Sequence, residues 1–523
     1  MKKLRRNLTS GLYLFILLMI IEILLIIFLQ FFLETVFEAL SIANYWVKIF
    51  WGVLKLVEVI FVLVLYHRIL NKHEDPEFKI AWLIGLVSLT FFTVFIYLIF
   101  SSRGLSKQER RVVELSRTAY IPYLKMERHA FKDNLDDVGP GLGALQYIKN
   151  TSGMDLHSHN RVEYYKNGET FFPKMKEALK EAKEFIFIEF FIISDGKEWS
   201  EVKDILIEKA SQGVEVRLVY DDLGCAGTIS PRTPKKLGKY GIKCYKFHKF
   251  RPFLHRSYNN RTHRKIVIVD HKYGFTGGIN LADEYANEIE RFGYWKDTMI
   301  RIEGSAITNL ITTFLQNYDL CTKSASDYNK YLDYQYPQFD DPGYITPFGD
   351  GPGGIDNALI GEQNYINILH YAKKRVDIST PYLIPTYQLL DAMRNAALRG
   401  VEVNLILPGI PDKKLVYLIA KSNFSFLLEA GVNIYTYTPG FNHMKSALAD
   451  NELGFVGTIN FDFRSLVHHF ECGATLYKVP CLKQLHEDFD EMIKVSTKVP
   501  TDFKLGLFGR FICAILKLFA PLL

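Results

Sequence analysis

The strongest constraint on the fold is a phrase that the chain uses twice. His263-x-Lys265-x4-Asp270-x6-Gly277-x-x-Asn280 returns as His443-x-Lys445-x4-Asp450-x6-Gly457-x-x-Asn460, every residue displaced by the same 180 positions. One such match among 14 histidines could be accident. Two, with the same continuation, make the chain two homologous halves, each giving one His, one Lys and one Asn to a common purpose.

In the first copy the β-branched run from Ile266 to Val269 predicts a buried strand, with His263 and Lys265 leaving one face of it. Gly274 to Gly278 predicts the neighbouring strand and a tight glycine turn, where backbone can approach a ligand closely. Imidazole, ammonium and amide together suit a phosphate. Lys neutralises oxyanion charge, Asn donates hydrogen bonds, and His attacks or moves a proton. Outside the motif both halves repeat the order strand, helix, strand, helix, strand, motif hairpin, which predicts an α/β fold with a mixed sheet flanked by helices in each half. Tyr328 to Asp356, rich in Tyr, Asp, Pro and Gly, forms the connector.

At 523 residues and 48% hydrophobic, the chain can fill two cores and still supply membrane segments. Leu12 to Leu33, Ile49 to Leu70 and Ile80 to Phe100 are each long enough for a hydrocarbon layer of about 30 Å. Residues 1–111 are therefore expected to be an anchor of two or three transmembrane helices. Glu22, Lys55 and Glu58 are costly at membrane depth, which implies helix–helix contacts or a second span beginning near Leu56. Lys2, Lys3, Arg5 and Arg6, then Arg68, Lys72 and Lys79, then Arg103, Lys107, Arg110 and Arg111, each ask to be inside, and three complete crossings cannot satisfy all of them.

Six scattered cysteines without a C-x-x-C pair argue against a disulfide framework or a metal cluster, and no cofactor is expected. His157-x-His159 and His468-His469 read as core or solvated histidines rather than metal ligands. Lys243, Lys246, Lys249, Arg251, Arg256, Arg261, Arg264 and Lys265, interleaved with Phe247, Phe250, Phe253 and Tyr258, suit a surface facing anionic lipid headgroups. A nucleic-acid groove would use the same ingredients, and a solvated basic loop would look alike. Phe503 to Leu523, apolar apart from Lys504, Arg510 and Lys517, reads as a helix in the headgroup region or one packed on the domain.

The wording around the motifs carries a resemblance. Asn259 to Lys265, Thr276 to Tyr285, Thr380 to Pro385, Val456 to Ser465 and Phe470 to Gly473 resemble the phospholipase D superfamily and, within it, the bacterial cardiolipin synthases, from about Ala81 to the C-terminus. Thr262, Ser446, Lys296 and Leu320 depart from the family's usual Asn, Thr, Arg and aromatic residue. The resemblance implies phospholipase D-like domains at 112–330 and 357–500, a connector at 331–356, and an amphipathic or membrane-interface helix at 501–523. It implies transfer of a phosphatidyl group between two phosphatidylglycerol molecules through a phosphohistidine. A hydrolase, a phosphatidylserine synthase and a membrane-tethered nuclease are the alternatives. His263 is the expected nucleophile and His443 the acid and base, while Lys265, Lys445, Asn280 and Asn460 hold the non-bridging oxygens. Asp297 for the first half and Glu471 for the second are expected to orient the imidazoles. Asp270 and Asp450 complete the catalytic motif and are expected to stabilise its hairpin rather than touch substrate. No metal and no nucleic-acid partner are expected. The enzyme should be a multi-pass bacterial membrane protein among anionic lipids, its catalytic halves on the cytoplasmic face.

Overall fold

The computed structural model describes residues 31–40, 45–72, 76–88, 105–124, 139–250, 259–352 and 358–517, with isolated positions between 24 and 97. The chain forms two units: an N-terminal one with residues 1–103 plus 250–259 and 515–523, and a body of residues 104–249 and 260–514.

In the N-terminal unit, Tyr45–Asn71 is 27 residues long, about 40 Å at the helical rise. Among the described residues it is the one helix long and apolar enough to cross a membrane. It runs unbroken through Lys55. Lys55 is paired with Glu58 at 3.0 Å and with Glu34 at 3.3 Å, which offsets the cost of the charges. The helix Pro76–Ser88 covers the start of the third hydrophobic segment. Most of the first segment, Glu22 included, and most of 89–104, Arg103 included, lie outside the described residues.

In the body, the first half contributes strands β1 (Arg161–Tyr165), β2 (Phe185–Phe190), β3 (Glu215–Asp221), β4 (Lys243–Phe247), β5 (Ile266–Val269), β6 (Tyr273–Gly277) and β7 (Met299–Glu303). They join in the order β1-β7-β6-β5-β2-β3-β4. β2, β3 and β4 are parallel, and the other pairings are antiparallel. The second half repeats this with β8 (Tyr344–Asp350), β9 (Arg375–Ser379), β10 (Glu402–Pro408), β11 (Asn433–Tyr437), β12 (Ser446–Ala449), β13 (Leu453–Gly457) and β14 (Glu471–Tyr477). Their order, β8-β14-β13-β12-β9-β10-β11, is the same order, extended at its edges by His157–Ser158 and Ser496–Lys498. The helices Lys197–Ser211 and Tyr387–Leu398 make the first crossover of each half, as parallel strands require. β2 and β5 are buried along their whole length, as a sheet covered on both faces demands. His157 is a core histidine, its ring bonded to Ser305 and Asn309.

One expectation is corrected. β5 starts at Ile266, so His263 and Lys265 precede the strand instead of riding on it. The His263 amide donates at 2.8 Å to the Phe470 carbonyl of the other half, and the Phe470 amide donates at 2.8 Å to Arg261. The backbone leaves its own sheet there to bridge the two halves.

Candidate active site

The halves exchange carboxylates. Expected to serve its own half, Asp297 instead accepts a 2.6 Å hydrogen bond from Nδ1 of His443, and Glu471 accepts one of 2.9 Å from Nδ1 of His263. The cause lies in the backbone. Gly440–Asn442 pairs in parallel with Tyr294–Lys296, and the His443 amide donates to the Lys296 carbonyl at 2.7 Å, so the residue after Lys296 is delivered to the imidazole of the opposite half. The bridge between Arg261–His263 and Phe470 does the same for Glu471. With Nδ1–H given to a carboxylate, Nε2 of each ring keeps its lone pair for chemistry.

The position after each motif glycine completes the carboxylate's surroundings. In the first half it is Gly278, where a Cβ would lie 2.0 Å from Asp297 Oδ1, so only glycine admits the carboxylate. In the second it is Thr458, whose hydroxyl donates to Glu471 Oε2. Thr458 was not singled out from sequence, although its place in the repeat marked it.

Lys265 and Lys445 are wholly buried. Each ammonium donates to the carbonyl of its own motif histidine, at 2.6 Å for Lys265, leaving further N–H groups. Burial pushes Lys265 down to about 8 and Lys445 to about 7. Burial, with these two ammonium groups next in weight, holds both imidazoles well below the usual histidine range, so they are neutral at pH 7. Burial raises Asp297 to about 6, which leaves it ionised there.

The motif asparagines differ. Asn280 Oδ1 accepts from the Ile192 amide and its Nδ2 donates to the Tyr285 hydroxyl, whereas Asn460 Oδ1 is buried with no hydrogen-bond partner. Asp270 and Asp450 sit at the far end of their strands, about 16 Å of strand rise from the lysines. Both have left-handed backbones. Asp270 accepts three backbone amides, Lys183, Glu184 and Phe185, and Asp450 accepts those of Lys373, Lys374 and Arg375. These carboxylates tie the motif hairpin to β2 and β9.

His469 stands beside the site, its ring centroid 5.8 Å from that of His263 and its Nδ1 3.6 Å from Glu471 Oε1. Burial depresses its pKa to about 3. One nitrogen each of His263 and His469 and a Glu471 oxygen lie within 4.8 Å of one another, a spacing that a metal could bridge. The adjoining lysines favour an anion there instead.

The basic approach is also revised. Arg261 is buried, bonding both oxygens of Asp221. Arg264 is buried too, donating to the carbonyls of Glu471, Thr313 and Asp350. Lys246 pairs with Asp222 at 2.8 Å and Lys243 with Glu215 at 2.9 Å. Arg261, Arg264 and Lys265 are therefore internal, whereas Lys243 and Lys249 remain exposed. Arg251, Phe253, Arg256 and Tyr258 lie outside the described residues. Lys296, in the family's arginine position, is buried against Asp488 at 2.6 Å, and Asp488 also accepts from the Tyr164 hydroxyl.

Residues 175–316 and 365–493 match the family described as "Cardiolipin synthase, PLD-like domain". An uncharacterized protein of Streptococcus mutans is 39% identical over 458 residues, covering 87% of this chain and 98% of its own. "Cardiolipin synthase 2" of Bacillus anthracis is 33% identical over 465 residues, covering 87% of this chain and 88% of its own. The fold is shared with the crystal structure of a phosphatidylserine synthase from Haemophilus influenzae, at a TM-score of 0.54 and 14% identity, over 73% of this chain and 97% of that one. The chain belongs to the cardiolipin synthase family of phospholipase D-like proteins.

Proposed function

We propose that the chain is a phosphatidyltransferase that joins two phosphatidylglycerol molecules into cardiolipin and releases glycerol. The observation that carries this reading is the pair of imidazoles, each fixed through Nδ1 by a buried carboxylate, with two buried lysines beside them. That equipment suits a double displacement at phosphorus. Nε2 of His263 attacks phosphorus, the bond to the glycerol oxygen breaks, and His443 protonates that oxygen. The hydroxyl of the second phosphatidylglycerol then yields its proton to His443 and attacks, and the P–N bond breaks to restore His263. Both imidazoles are neutral in the free site, and an arriving phosphodiester anion raises their pKa, which supplies His443 with the proton it must give. Lys265, Lys445, Asn280 and Asn460 take the non-bridging oxygens, Asn280 with the N–H that Tyr285 does not use. The test is lipid extraction from cells that make this chain and lack every other source of cardiolipin. Cardiolipin is expected; its absence, with phosphatidate or phosphatidylserine in its place, would reassign the acceptor.

Transfer and stability should part company with pH. Above about pH 7 the folded Lys445, and above about 8 the folded Lys265, lose protons that an unfolded chain keeps up to the ordinary lysine value of 10.5. The unfolded state then binds more protons, so stability rises with pH. Transfer is expected to fall over the same range, as the charge that neutralises the phosphate disappears. A pH profile of turnover beside a pH series of unfolding midpoints reads both, and parallel curves would remove the lysines from this role.

We divide the chain into an anchor of two or three membrane helices (1–111), phospholipase D-like domains (112–330 and 357–500), a connector (331–356) and a C-terminal interface helix (501–523). The catalytic halves are assigned to the cytoplasmic face, which the basic residues following the last hydrophobic segment favour. A reporter cysteine replacing the exposed Asp340 should resist an impermeant thiol reagent in intact cells and react after lysis. Labelling in intact cells would put the active site outside.

A further inference from the structure

The helices Lys414–Lys421 and Leu507–Lys517 meet at the surface of the second half, where the Cys513 thiol donates to the Leu418 carbonyl at 3.4 Å. Cys513 marks the buried side of the C-terminal helix. Among the described residues its other side is uncovered: Leu507, Phe508 and Phe511 are 78%, 77% and 65% exposed. Leu415, on the neighbouring helix, is 64% exposed. Isolated surface leucines need no explanation, but three large apolar side chains within five residues, beside a helix that offers a fourth, form a face. Lys413, Lys414, Lys504 and Arg510, all exposed, accompany it.

This face continues to the active site. The Lys413 ammonium donates to the Tyr382 hydroxyl at 3.1 Å and lies 4.6 Å over its ring. Two residues before Tyr382, the Thr380 hydroxyl accepts from the Phe461 amide, immediately after the motif Asn460. The chain thus passes from the second motif to the apolar face in a few bonded steps.

We propose that these two helices form a membrane-docking platform, lying in the headgroup and acyl boundary of an anionic bilayer and setting the lip of the active site against the lipid. An apolar stripe with cations alongside is what an interfacial helix presents to such a surface. A second copy fits it less well, because a two-fold contact would bring the same lysines and arginine against one another. The platform rests on the phosphatidyl-transfer reading in one respect: it explains how a lipid headgroup reaches His263 and His443 without leaving the bilayer.

The test uses the full chain with Phe508→Ser and Phe511→Ser together, neither residue touching the catalytic groups. In phosphatidylglycerol proteoliposomes, turnover should fall about tenfold or more, as expected for two Phe side chains that no longer enter lipid. On monomeric short-chain phosphatidylglycerol in detergent it should stay within about twofold. Equal loss on both substrates would make the residues structural and overturn the platform, as would no loss on either. A change of mass by light scattering would give the face to a second copy and also overturn it. Amide exchange of 507–514 in the wild-type chain needs no turnover. It should slow on anionic vesicles relative to neutral ones, and if it does so while no lipid is transferred, the platform stands and the transfer reading falls.

Discussion

His263→Ala and His443→Ala are each expected to lower phosphatidyl transfer by about a hundredfold or more, because nucleophilic and acid–base steps are each worth on the order of 10² or more and no neighbouring group can replace them. Lys265 and Lys445 are already bonded to the motif carbonyls, and His469 faces Glu471. Neither substitution should unfold the body, since each removes one side-chain hydrogen bond and a few ring contacts from a body built on two full sheets. The double variant should be little worse than either single one, as residues acting in one displacement cycle are not additive. Turnover of labelled phosphatidylglycerol by purified, folded variants is the measurement. A single variant that keeps more than about a hundredth of wild-type activity would undo the pairing of roles.

The second large effect is on stability. Asp221→Ala should destabilise the body by about 3–5 kcal/mol, the usual consequence of leaving one member of a buried ion pair without its partner. Arg261 is among the largest fully buried side chains, and its guanidinium lies 2.7 Å from Asp221 Oδ1. Asp221 Oδ2 also receives the Thr262 amide, one residue before His263. The loss should therefore appear as a lower unfolding midpoint together with reduced transfer. Adding Arg261→Met to Asp221→Ala should restore much of the stability, since an apolar side chain leaves no stranded charge. An Asp221→Ala protein as stable as wild type would mean that the guanidinium finds another counter-charge.

Sequence alone determined a good deal. The 180-residue displacement implied two halves, and among the described residues their main sheets share one seven-strand order. The β-branched runs and the crossover helices were legible because period and length are local properties, fixed within a few residues. The motif residues were legible because the same side chains recur at the same spacing in both halves. Three things were decided only by tertiary structure. Asp297 and Glu471 serve the opposite halves, because parallel backbone pairing joins residues more than 140 positions apart in sequence. Arg261 and Arg264 are internal, because the chain crosses between sheets at that point and takes their charge inward to Asp221 and to backbone carbonyls. The exposed apolar side of Leu507–Lys517 is defined by which side Cys513 buries against Leu418, and a periodic pattern gives a stripe without saying what covers it. Local patterning chooses the elements; which distant strands meet, and therefore which carboxylate reaches which imidazole, depends on long-range backbone pairing that no short window contains.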